Sequence, residues 1–259
     1  MTLVGIIGGS GLDDPRLMTD ARETIVDTPF GDTTSPITTG TIDGVSIAVI
    51  ARHGRHHQFS PSQVNYRANI HALKAIGASH IIATTACGSL RAHIGRGDFV
   101  IVDQFIDFTR RRENSFFVDF SAGTHHTAMA DPFDPMLREA LRDAAGELDY
   151  PVHDGGTVVT IEGPRFSTRA ESHMFRAWGG DVINMSVATE AALANEAGIP
   201  YAAIAMSTDY DCWKEDEAPV SWEEILEVFG KNVDRVKRLL VTAIPRVFQR
   251  AGNSPAQMN

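Results

Sequence analysis

Short apolar segments alternate with helical patterns along most of the chain. Seven segments rich in valine and isoleucine lie at positions 3–7, 45–50, 80–85, 98–103, 157–161, 181–185 and 201–206. Because they are apolar on successive residues, they predict strands that are buried on both faces. Such strands are typical of a mostly parallel sheet covered by helices.

Helices are predicted between several of these strands. The segments 64–77, 134–148 and 186–198 have helical spacing together with capping or terminating residues. The pair Asp43 and Gly44, between two further β-like runs, is typical of a hairpin turn, so part of the sheet should be antiparallel. The sequence therefore predicts an α/β fold with a mixed, mostly parallel central sheet flanked by helices.

The length of the chain suits one large domain. It has 259 residues, 43% of them apolar, and no apolar run of membrane-spanning length. No linker or internal repeat divides it, so we expect a single domain over residues 1–259 with a frayed tail at 251–259. The start does not resemble a secretory signal, and two cysteines are too few for a disulfide scaffold. These features predict a cytoplasmic protein with reduced thiols.

The net charge argues against a nucleic-acid partner. The formal charge is -10 at pH 7, which repels a polyanion. A small anionic ligand is still compatible with an acidic protein if a few local donors hold it. Such a ligand needs a specific site.

Small, hydroxyl and charged residues follow six of the predicted strands. In open α/β sheets ligands bind at the carboxyl ends of the strands, so these residues are expected to form one pocket. The six segments lie at positions 8–11, 51–54, 84–89, 162–167, 184–186 and 208–211.

Donors for a phosphate-sized anion occur in three of these segments. Ser10 lies in a glycine turn whose backbone N–H groups can hold an anion, although the same turn can be purely structural. Arg52 offers a planar fork of donors that suits phosphate, or it forms a salt bridge. Thr85 adds a hydroxyl, or it is simply a β-branched strand end.

Three other residues near the strand ends also have alternative interpretations. His53 and its neighbouring histidines have no carboxylate or cysteine partner at ligand spacing, so no metal site is predicted. Met185 is either a core residue or a flexible contact for the flat face of a sugar. Phe166 is either a core residue or a ring that stacks on a planar ligand.

Two acids follow the last predicted strand, in the sequence TDYDCW at positions 208–213. Residues two apart on a strand point to the same side, so Asp209 and Asp211 are expected to face one ligand. They suit an amino group on a heterocycle, and one of them can give a proton to a ring nitrogen if burial raises its pKa. Alternatively, they cap a helix or a turn. A metal would need a third carboxylate nearby.

Together these segments resemble a known enzyme family. The sequences GIIGGSGLDDP, ARHGRHH, TTACGSLR, TIEGPRFSTRAES, DVINMSVATE and STDYDCWKE occur in the order typical of the 5'-methylthioadenosine phosphorylase branch of the trimeric purine nucleoside phosphorylases. The resemblance runs from about Val4 to Glu215. It implies a homotrimer that catalyses phosphorolysis, releasing adenine and 5-methylthioribose 1-phosphate for purine and methionine salvage. Inorganic phosphate is then a co-substrate, and no metal or organic cofactor is implied.

The resemblance also implies a role for each site residue. Asp209 would protonate N7 of the departing adenine, and Asp211 would support the 6-amino group. Aspartate at position 209 favours adenine, because relatives that prefer 6-oxopurines tend to have asparagine there. The phosphate would be bound by Ser10, Arg52, His53, Thr85, Ala86 and Ser186, and Ser186 is also assigned to catalysis. The base and the sugar would be bound by Ala86, Phe166, Ser167 and Met185. The 5' group would be surrounded by Trp222, Ile225 and a neighbouring subunit's His126.

The segment 109–135 and the end of the chain bear on the 5' pocket. The segment lacks clear periodicity yet has four phenylalanines and paired histidines, which favours a functional loop or a subunit contact. Trp222 is larger than the small aliphatic residue typical of the family. The chain also ends where longer members continue with a helix that helps to close this pocket. Tolerance for other 5' substituents, including the hydroxyl of adenosine, is therefore open.

Three other functions are compatible with parts of this pattern. A phosphorylase of the same family could act on 5'-methylthioinosine, inosine or guanosine, but Asp209 argues against it. A hydrolytic nucleosidase would use water and would not need the donors clustered around an anion. A non-catalytic nucleoside or phosphate sensor would keep the pocket without an acid over N7.

Overall fold

The computed structural model describes residues 2–8, 18–121, 123–216 and 222–252, without the side chains of 222–226, 229 and 231. Within these ranges eleven strands form one sheet, accompanied by five α-helices. The strands are β1 (Leu3–Gly8), β2 (Thr19–Thr24), β3 (Ile37–Ile42), β4 (Val45–Ala51), β5 (His80–Ser89), β6 (Phe99–Ile101), β7 (Gln104–Phe108), β8 (Val152–Asp154), β9 (Thr157–Ile161), β10 (Val182–Asn184) and β11 (Tyr201–Asp209). The helices are α1 (Tyr66–Ala75), α2 (Pro135–Glu147), α3 (Arg169–Ala177), α4 (Val187–Glu196) and α5 (Trp222–Gly252).

The centre of the sheet is parallel. Strands β4, β1, β5 and β11 are neighbours in this order and run in one direction. Strand β9 lies between β10 and β7 and is parallel to both. Antiparallel pairs join β2 to β3, β3 to β4, β6 to β11 and β10 to β5. The predicted α/β class with a mixed, mostly parallel sheet is confirmed, and all seven predicted strands are present.

The predicted hairpin joins β3 and β4. Both residues of its turn have positive φ angles, 47° at Asp43 and 77° at Gly44. Two such residues form the tight turn whose twist matches that of paired antiparallel strands. The Asp-Gly signal in the sequence therefore has the expected physical basis.

Helices cover both faces of the sheet. On one face α1 and α4 pack together, and Leu73 and Ala191 are fully buried there. On the other face α2 and α5 pack together around Leu137 and Leu239. The central strands are apolar on successive residues because each of their faces meets a helical layer.

Helix α3 is absent from the sequence prediction. It begins with a capping box, in which Thr168 accepts from the N–H of Glu171 and the Glu171 carboxylate accepts from the N–H of Thr168. Only two of its residues, Ser172 and Phe175, are buried. The Thr168 and Glu171 spacing is a helix-start signal in the sequence, and the prediction overlooked it.

The C-terminal part of the described chain is helical. Helix α5 continues to Gly252, so the first two residues of the predicted tail, 251–259, are ordered in a helix, and residues 253–259 lie outside the described ranges. Among the described helices, none combines the length and the apolar character needed to cross a membrane.

Strand β5 changes its partner along one edge, and this opens the sheet. Residues 80–83 pair with β1 and residues 88–89 pair with β10, while the opposite edge pairs with β11. Between these two contacts, residues 84–87 have no neighbouring strand on the first edge among the described residues. The opening lies at the carboxyl ends of parallel strands, where ligands of α/β proteins bind.

Candidate active site

A cavity of about 640 Å³ lies at this opening. Its volume is within the range of small-molecule sites, roughly 300–1,000 Å³. Residues from the ends of β4, β5, β9, β10 and β11 line it, together with the loop 57–63. Ten of the predicted site residues are among them: Arg52, His53, Thr85, Ala86, Phe166, Ser167, Met185, Ser186, Asp209 and Asp211.

Arg52 is buried in an ion pair with Glu190. Its Nε and Nη2 donate to the two carboxylate oxygens of Glu190 at 2.5 and 2.9 Å, and its Nη1 donates to the carbonyl of Thr84 at 2.8 Å. The Tyr201 hydroxyl donates to the same carboxylate at 2.9 Å. The Arg52 and Glu190 side chains are 3% and 2% exposed. The salt bridge that the sequence left as an alternative is therefore present.

The ion pair leaves donors of Arg52 for a ligand. A guanidinium has five N–H groups, and the described partners take three of them. Burial alone would lower the pKa of Arg52, but the charge and hydrogen bonds of Glu190 outweigh it and raise the pKa above its usual value. Arg52 therefore stays charged, with two N–H groups remaining for an anion.

His53 lines the same part of the cavity as a neutral ring. Its Nδ1 lies 2.9 Å from the carbonyl oxygen of Phe59, so in the neutral ring Nδ1 carries the hydrogen and Nε2 is an acceptor. Burial, followed by the charge of Arg52, lowers the pKa of His53 to about 4. His57 stacks on it with 4.6 Å between the ring centroids. At neutral pH His53 can accept a hydrogen bond but supplies no positive charge.

A chain of polar side chains fixes the hydroxyl of Thr85. Asn184 Nδ2 donates to Thr85 Oγ1 at 3.3 Å, and Asn184 Oδ1 accepts from the hydroxyl of Thr160 at 2.8 Å. The Thr160 oxygen in turn accepts from the N–H of Ala188 at 3.0 Å, in the first turn of α4. Strands β5, β9 and β10 and helix α4 are thereby held in one arrangement beside the cavity.

Ser186 is the N-cap residue of α4, yet its hydroxyl does not cap the helix. Its side chain makes no capping hydrogen bond, and the residue is buried. Its N–H has a long contact of 3.4 Å with Asn184 Oδ1. Because a helix N-terminus favours anions through its dipole and its N–H groups, Ser186 presents a hydroxyl and an N–H where an anion is stabilised.

A β-bulge and a turn bring Asp209 and Asp211 to the cavity. The pairing of β11 with β5 shifts between Ser207 and Asp209, so Thr208 is the extra residue of the bulge. Strand β11 ends at Asp209, and Asp211 has a φ of 51° in the turn that follows. Both acids line one cavity, but alternation along a strand is the wrong reason, because Asp211 is not part of the strand.

The two acids are held by local donors and have raised pKa values. The hydroxyl of Thr208 donates to Oδ1 of Asp209 at 2.7 Å, and the N–H of Asp211 donates to Oδ2 at 2.8 Å. Burial raises the pKa of Asp209 despite these two hydrogen bonds, and the charge of Asp211 adds to the rise. Burial likewise raises the pKa of Asp211. A buried acid with a raised pKa in a cavity is suited to proton transfer.

The remaining wall is largely apolar. Phe166 lines the cavity and is 39% exposed, so its ring is not a core residue. Met185 packs beside a small cluster that includes Ile183. A Cβ on Gly88 would lie 3.0 Å from Oδ2 of Asp209, so glycine at this position leaves room for the acid.

Four predicted site residues are not placed at the cavity. Ser10 lies outside the described residues, and so do the side chains of Trp222 and Ile225, which belong to α5. His126 is exposed in the segment between β7 and α2, with its ring edge against Phe120 at 5.5 Å between centroids. Their roles remain predictions.

Two charged residues near the cavity were not among the predicted site residues. Glu190 has a detectable signal, because it is an acid within the apolar helical sequence VATEAALA, and a buried acid needs a partner. The side chain of Arg112 is 3% exposed, but it follows Arg110 and Arg111 in the sequence, so nothing in the pattern distinguishes it from its neighbours.

Potential metal ligands do not cluster in the part of the chain that the structure describes. No group of three or more histidine, cysteine, aspartate or glutamate side chains there has an arrangement that could hold a metal ion. Cys87 is buried and Cys212 is partly buried, and both are free thiols.

Comparison with known proteins relates the whole sheet and its cavity to one group of enzymes. A family model described as Phosphorylase superfamily matches residues 3–245. The S-methyl-5'-thioadenosine phosphorylase of Xenopus tropicalis is 52% identical over 248 residues, covering 94% of this chain and 88% of that protein. The S-methyl-5'-thioadenosine phosphorylase of Drosophila melanogaster is 48% identical over 247 residues, covering 94% and 86%.

Solved structures give the same relationship at the level of the fold. Methylthioadenosine phosphorylase from Schistosoma mansoni in complex with adenine has a TM-score of 0.91 and 42% identity, covering 96% of this chain and 93% of that one. A variant of adenosine/methylthioadenosine phosphorylase from the same organism, in complex with methylthioadenosine, has a TM-score of 0.88 and 41% identity, covering 96% and 92%. The chain is thus similar to these enzymes in both sequence and architecture.

Proposed function

The chain belongs to the phosphorylase superfamily, and on this basis we propose that it is an S-methyl-5'-thioadenosine phosphorylase. An oxygen of inorganic phosphate forms a bond to C1' of methylthioadenosine, while the bond from C1' to N9 of the purine breaks. The products are adenine and 5-methylthioribose 1-phosphate, which enter purine and methionine salvage. The reaction is a pentosyl transfer from adenine to phosphate.

Donors from the ends of β4 and β5 and from the start of α4 hold the phosphate. Arg52 contributes its two remaining N–H groups, and Ser186 contributes its hydroxyl and N–H. Thr85 contributes its hydroxyl when the hydrogen turns to the phosphate from the carbonyl of Ala86, which lies 2.9 Å away. The neutral ring of His53 accepts from a protonated phosphate oxygen. Ser10 completes this set. As the glycosidic bond breaks the sugar becomes cation-like, and the bound phosphate stabilises it from one side.

Asp209 supplies the proton that the leaving group needs. An unprotonated purine would leave as an anion, so transfer of a proton to N7 lowers the barrier. The raised pKa of Asp209 keeps its carboxyl group protonated at a higher pH than that of a surface aspartate. The electron pair of the broken bond stays on N9, adenine leaves as a neutral molecule, and Asp209 regains a proton from solvent.

The same acids select the base. Carboxylate oxygens of Asp209 and Asp211 accept from the 6-amino group of adenine, whereas the 6-oxo group of hypoxanthine would face acceptors and lose hydrogen bonds. Phe166 stacks on the purine and Ser167 lies along its edge. Ala86 and Met185 border the sugar between the base and the phosphate.

A homotrimer completes the 5' pocket. In the segment between β7 and α2, Val118 is 80% exposed and Phe120 is 50% exposed. We propose that this segment contacts a neighbouring subunit and that His126 reaches the neighbour's cavity. The family resemblance assigns Trp222 and Ile225 to the same pocket, and we propose that role for them here; their side chains lie outside the described part of the chain.

The proposal also covers cofactors, domain organisation, partners and location. Phosphate and Asp209 supply the nucleophile and the proton, so the enzyme needs no metal or organic cofactor. All eleven described strands lie in one sheet, which supports a single domain over residues 1–259. The formal charge of -10 suits small-molecule partners rather than nucleic acid. We place the enzyme in the cytoplasm, away from any membrane.

The observation that carries the proposal is the shared cavity of Asp209, with its raised pKa, and the donors around Arg52. The test compares purine release from methylthioadenosine and 5'-methylthioinosine at saturating phosphate, with adenosine as a probe of the 5' pocket. We expect kcat/KM for methylthioadenosine to exceed that for methylthioinosine by about 100-fold or more, the size of a lost set of hydrogen bonds. A preference for methylthioinosine would contradict the assignment of Asp209.

A further inference from the structure

Arg112 reaches from the segment after β7 to the strand ends around the cavity. Its Nε donates to Glu162 Oε1 at 2.9 Å, and its Nη2 donates to the carbonyl oxygens of Glu162 and Met185 at 2.6 and 3.1 Å. The guanidinium also lies over the ring of Tyr66, 5.0 Å from its centroid. One buried side chain therefore joins the ends of β9 and β10 to helix α1.

Glu162 binds the start of the segment after β7. Its Oε2 accepts from the N–H groups of Arg110 and Arg111 at 2.8 and 3.1 Å, while its Oε1 binds Arg112. Burial tends to raise the pKa of Glu162, but these donors outweigh it and hold the pKa below its usual value. The glutamate is therefore charged, and it fixes the guanidinium of Arg112 in place.

Arg112 is the main donor to the carbonyl of Met185. The Tyr66 hydroxyl lies 3.3 Å from that oxygen, but it lies nearer, at 3.0 Å, to the carbonyl of Pro61. Because a hydroxyl has one hydrogen, its contact with Met185 is the weaker of the two. The charged guanidinium makes the stronger hydrogen bond to the Met185 carbonyl.

The Met185 carbonyl sets the direction of the next N–H group. The carbonyl of Met185 and the N–H of Ser186 belong to one planar trans peptide, so they point in opposite directions. The N–H of Ser186 is only loosely held, at 3.4 Å from Asn184 Oδ1, beyond the usual limit of about 3.2 Å. Fixing the carbonyl therefore aims an available N–H group at the start of α4.

We propose that Arg112 is a positioning residue, which acts through the carbonyl of Met185 to aim the N–H of Ser186 at the phosphate. This inference rests on the proposed function, because it assigns the phosphate to the start of α4. Nη1 of Arg112 is buried without a hydrogen-bond partner among the described residues. An unpaired buried N–H costs free energy, so it partly offsets the stability that Arg112 gains from its other contacts.

Arg112→Lys is the informative variant. A lysine keeps the positive charge but has no planar fork that can reach both Glu162 and Met185. Arg111→Lys is the matched control, because Arg111 is exposed and gives Glu162 its backbone N–H, which the substitution retains. For each protein we would measure kcat, the KM for phosphate, the KM for methylthioadenosine and the rise in melting temperature caused by phosphate alone.

R112K should weaken phosphate binding selectively. R112K should raise the KM for phosphate by about tenfold, as expected for a lost charged hydrogen bond, and should reduce the phosphate-induced rise in melting temperature. The KM for methylthioadenosine should change by less than about threefold, and R111K should match the wild type. If R112K does not fold, Tyr66→Phe removes the weaker donor to the same carbonyl and should raise the phosphate KM by about threefold.

Two results would overturn the role of Arg112. One is a phosphate KM within twofold of the wild type in R112K. The other is an equal rise in both KM values together with a lower melting temperature without ligand, which would indicate a purely structural residue. The proposed function fails separately, if the wild type releases adenine without phosphate. In that case the phosphate-induced rise in melting temperature still tests Arg112, because it measures phosphate binding alone. If phosphate does not raise the melting temperature of the wild type, the inference about Arg112 is also overturned.

Discussion

The backbone N–H of Asp211 donates to Oδ2 of Asp209 at 2.8 Å, so the turn after β11 holds the acid that the strand delivers to the cavity. The hydroxyl of Thr208, the extra residue of the bulge, donates to the other oxygen at 2.7 Å. The carboxyl group is thus oriented from both sides before any substrate binds. Preorganisation of this kind is what a general acid needs if its proton is to meet one ring nitrogen.

Replacing Asp209 by asparagine should remove the acid but keep the shape. We expect kcat for methylthioadenosine at saturating phosphate to fall by about 10²-fold or more, the usual contribution of general acid catalysis. Asp211→Asn is the matched control. It should mainly raise the KM for the nucleoside, because the proposed role of Asp211 is to accept a hydrogen bond from the 6-amino group. Unchanged turnover in D209N would contradict the proton transfer.

The buried pair Arg52 and Glu190 should matter for stability as well as for phosphate. In Glu190→Gln the charge of Arg52 stays buried without its partner, which we expect to lower the free energy of unfolding by about 3 kcal/mol. Glu139→Gln is the control, because Glu139 is half exposed and lies 3.6 Å from Arg142; its loss should cost less than about 0.5 kcal/mol. Urea denaturation measures both. A cost below about 1 kcal/mol for E190Q would contradict the ion pair as described.

His53 should make the fold sensitive to acid. Its pKa is lowered to about 4, first by burial and then by Arg52, whereas a histidine in the unfolded chain titrates near about 6.5. Between these values the unfolded chain binds more protons, so this stabilising contribution is complete above pH 6.5 and is lost as the pH falls towards 4. The variant His53→Gln lacks the imidazole and therefore lacks this pH-dependent contribution to stability.

Urea denaturation at pH 7 and pH 5 tests this linkage. The difference in free energy of unfolding between the wild type and H53Q should shift against the wild type at the lower pH. His56→Gln, at an exposed histidine of the same loop, is the matched control for the loss of an imidazole. If the H53Q difference stays constant, the ring is not buried in its neutral form.

Mixing two defective proteins should test the shared 5' pocket. His126 is exposed in its own chain, whereas Asp209 is buried at the cavity, so in the proposed trimer one active site takes these residues from two subunits. Subunit exchange between His126→Ala and D209N trimers should create some sites with both native residues. We expect activity above the average of the two parents at a low nucleoside concentration. Activity equal to that average would mean that each site is complete within one chain.

The general architecture was predictable because parallel strands are buried on both faces. Apolar runs such as 80–85 and 201–206 have few other interpretations, and both are strands of the sheet. The same reasoning led to the strand ends, where ten predicted residues line one cavity. Local sequence, together with the rule that ligands bind at the carboxyl ends of strands in α/β sheets, was sufficient to locate the cavity.

The connections between distant residues were not predictable from the pattern. Arg52 and Glu190 are 138 positions apart, and nothing local links them, although an acid in an apolar helix was a signal for a buried partner. Asp209 and Asp211 both line the cavity as predicted, but a bulge at Thr208 and the turn after β11 place them there, and simple alternation describes neither. Arg112 is one of three consecutive arginines, and only the fold shows which of them is buried.

The most direct test of the account is the phosphate dependence of adenine release from methylthioadenosine. The purified protein would be freed of phosphate, and adenine would be measured with and without added phosphate while ³¹P NMR follows the phosphorus. We predict adenine release only with phosphate, and one equivalent of a sugar 1-phosphate for each adenine. Adenine release at the same rate without phosphate, with no phosphate ester formed, would contradict phosphorolysis and identify a hydrolase.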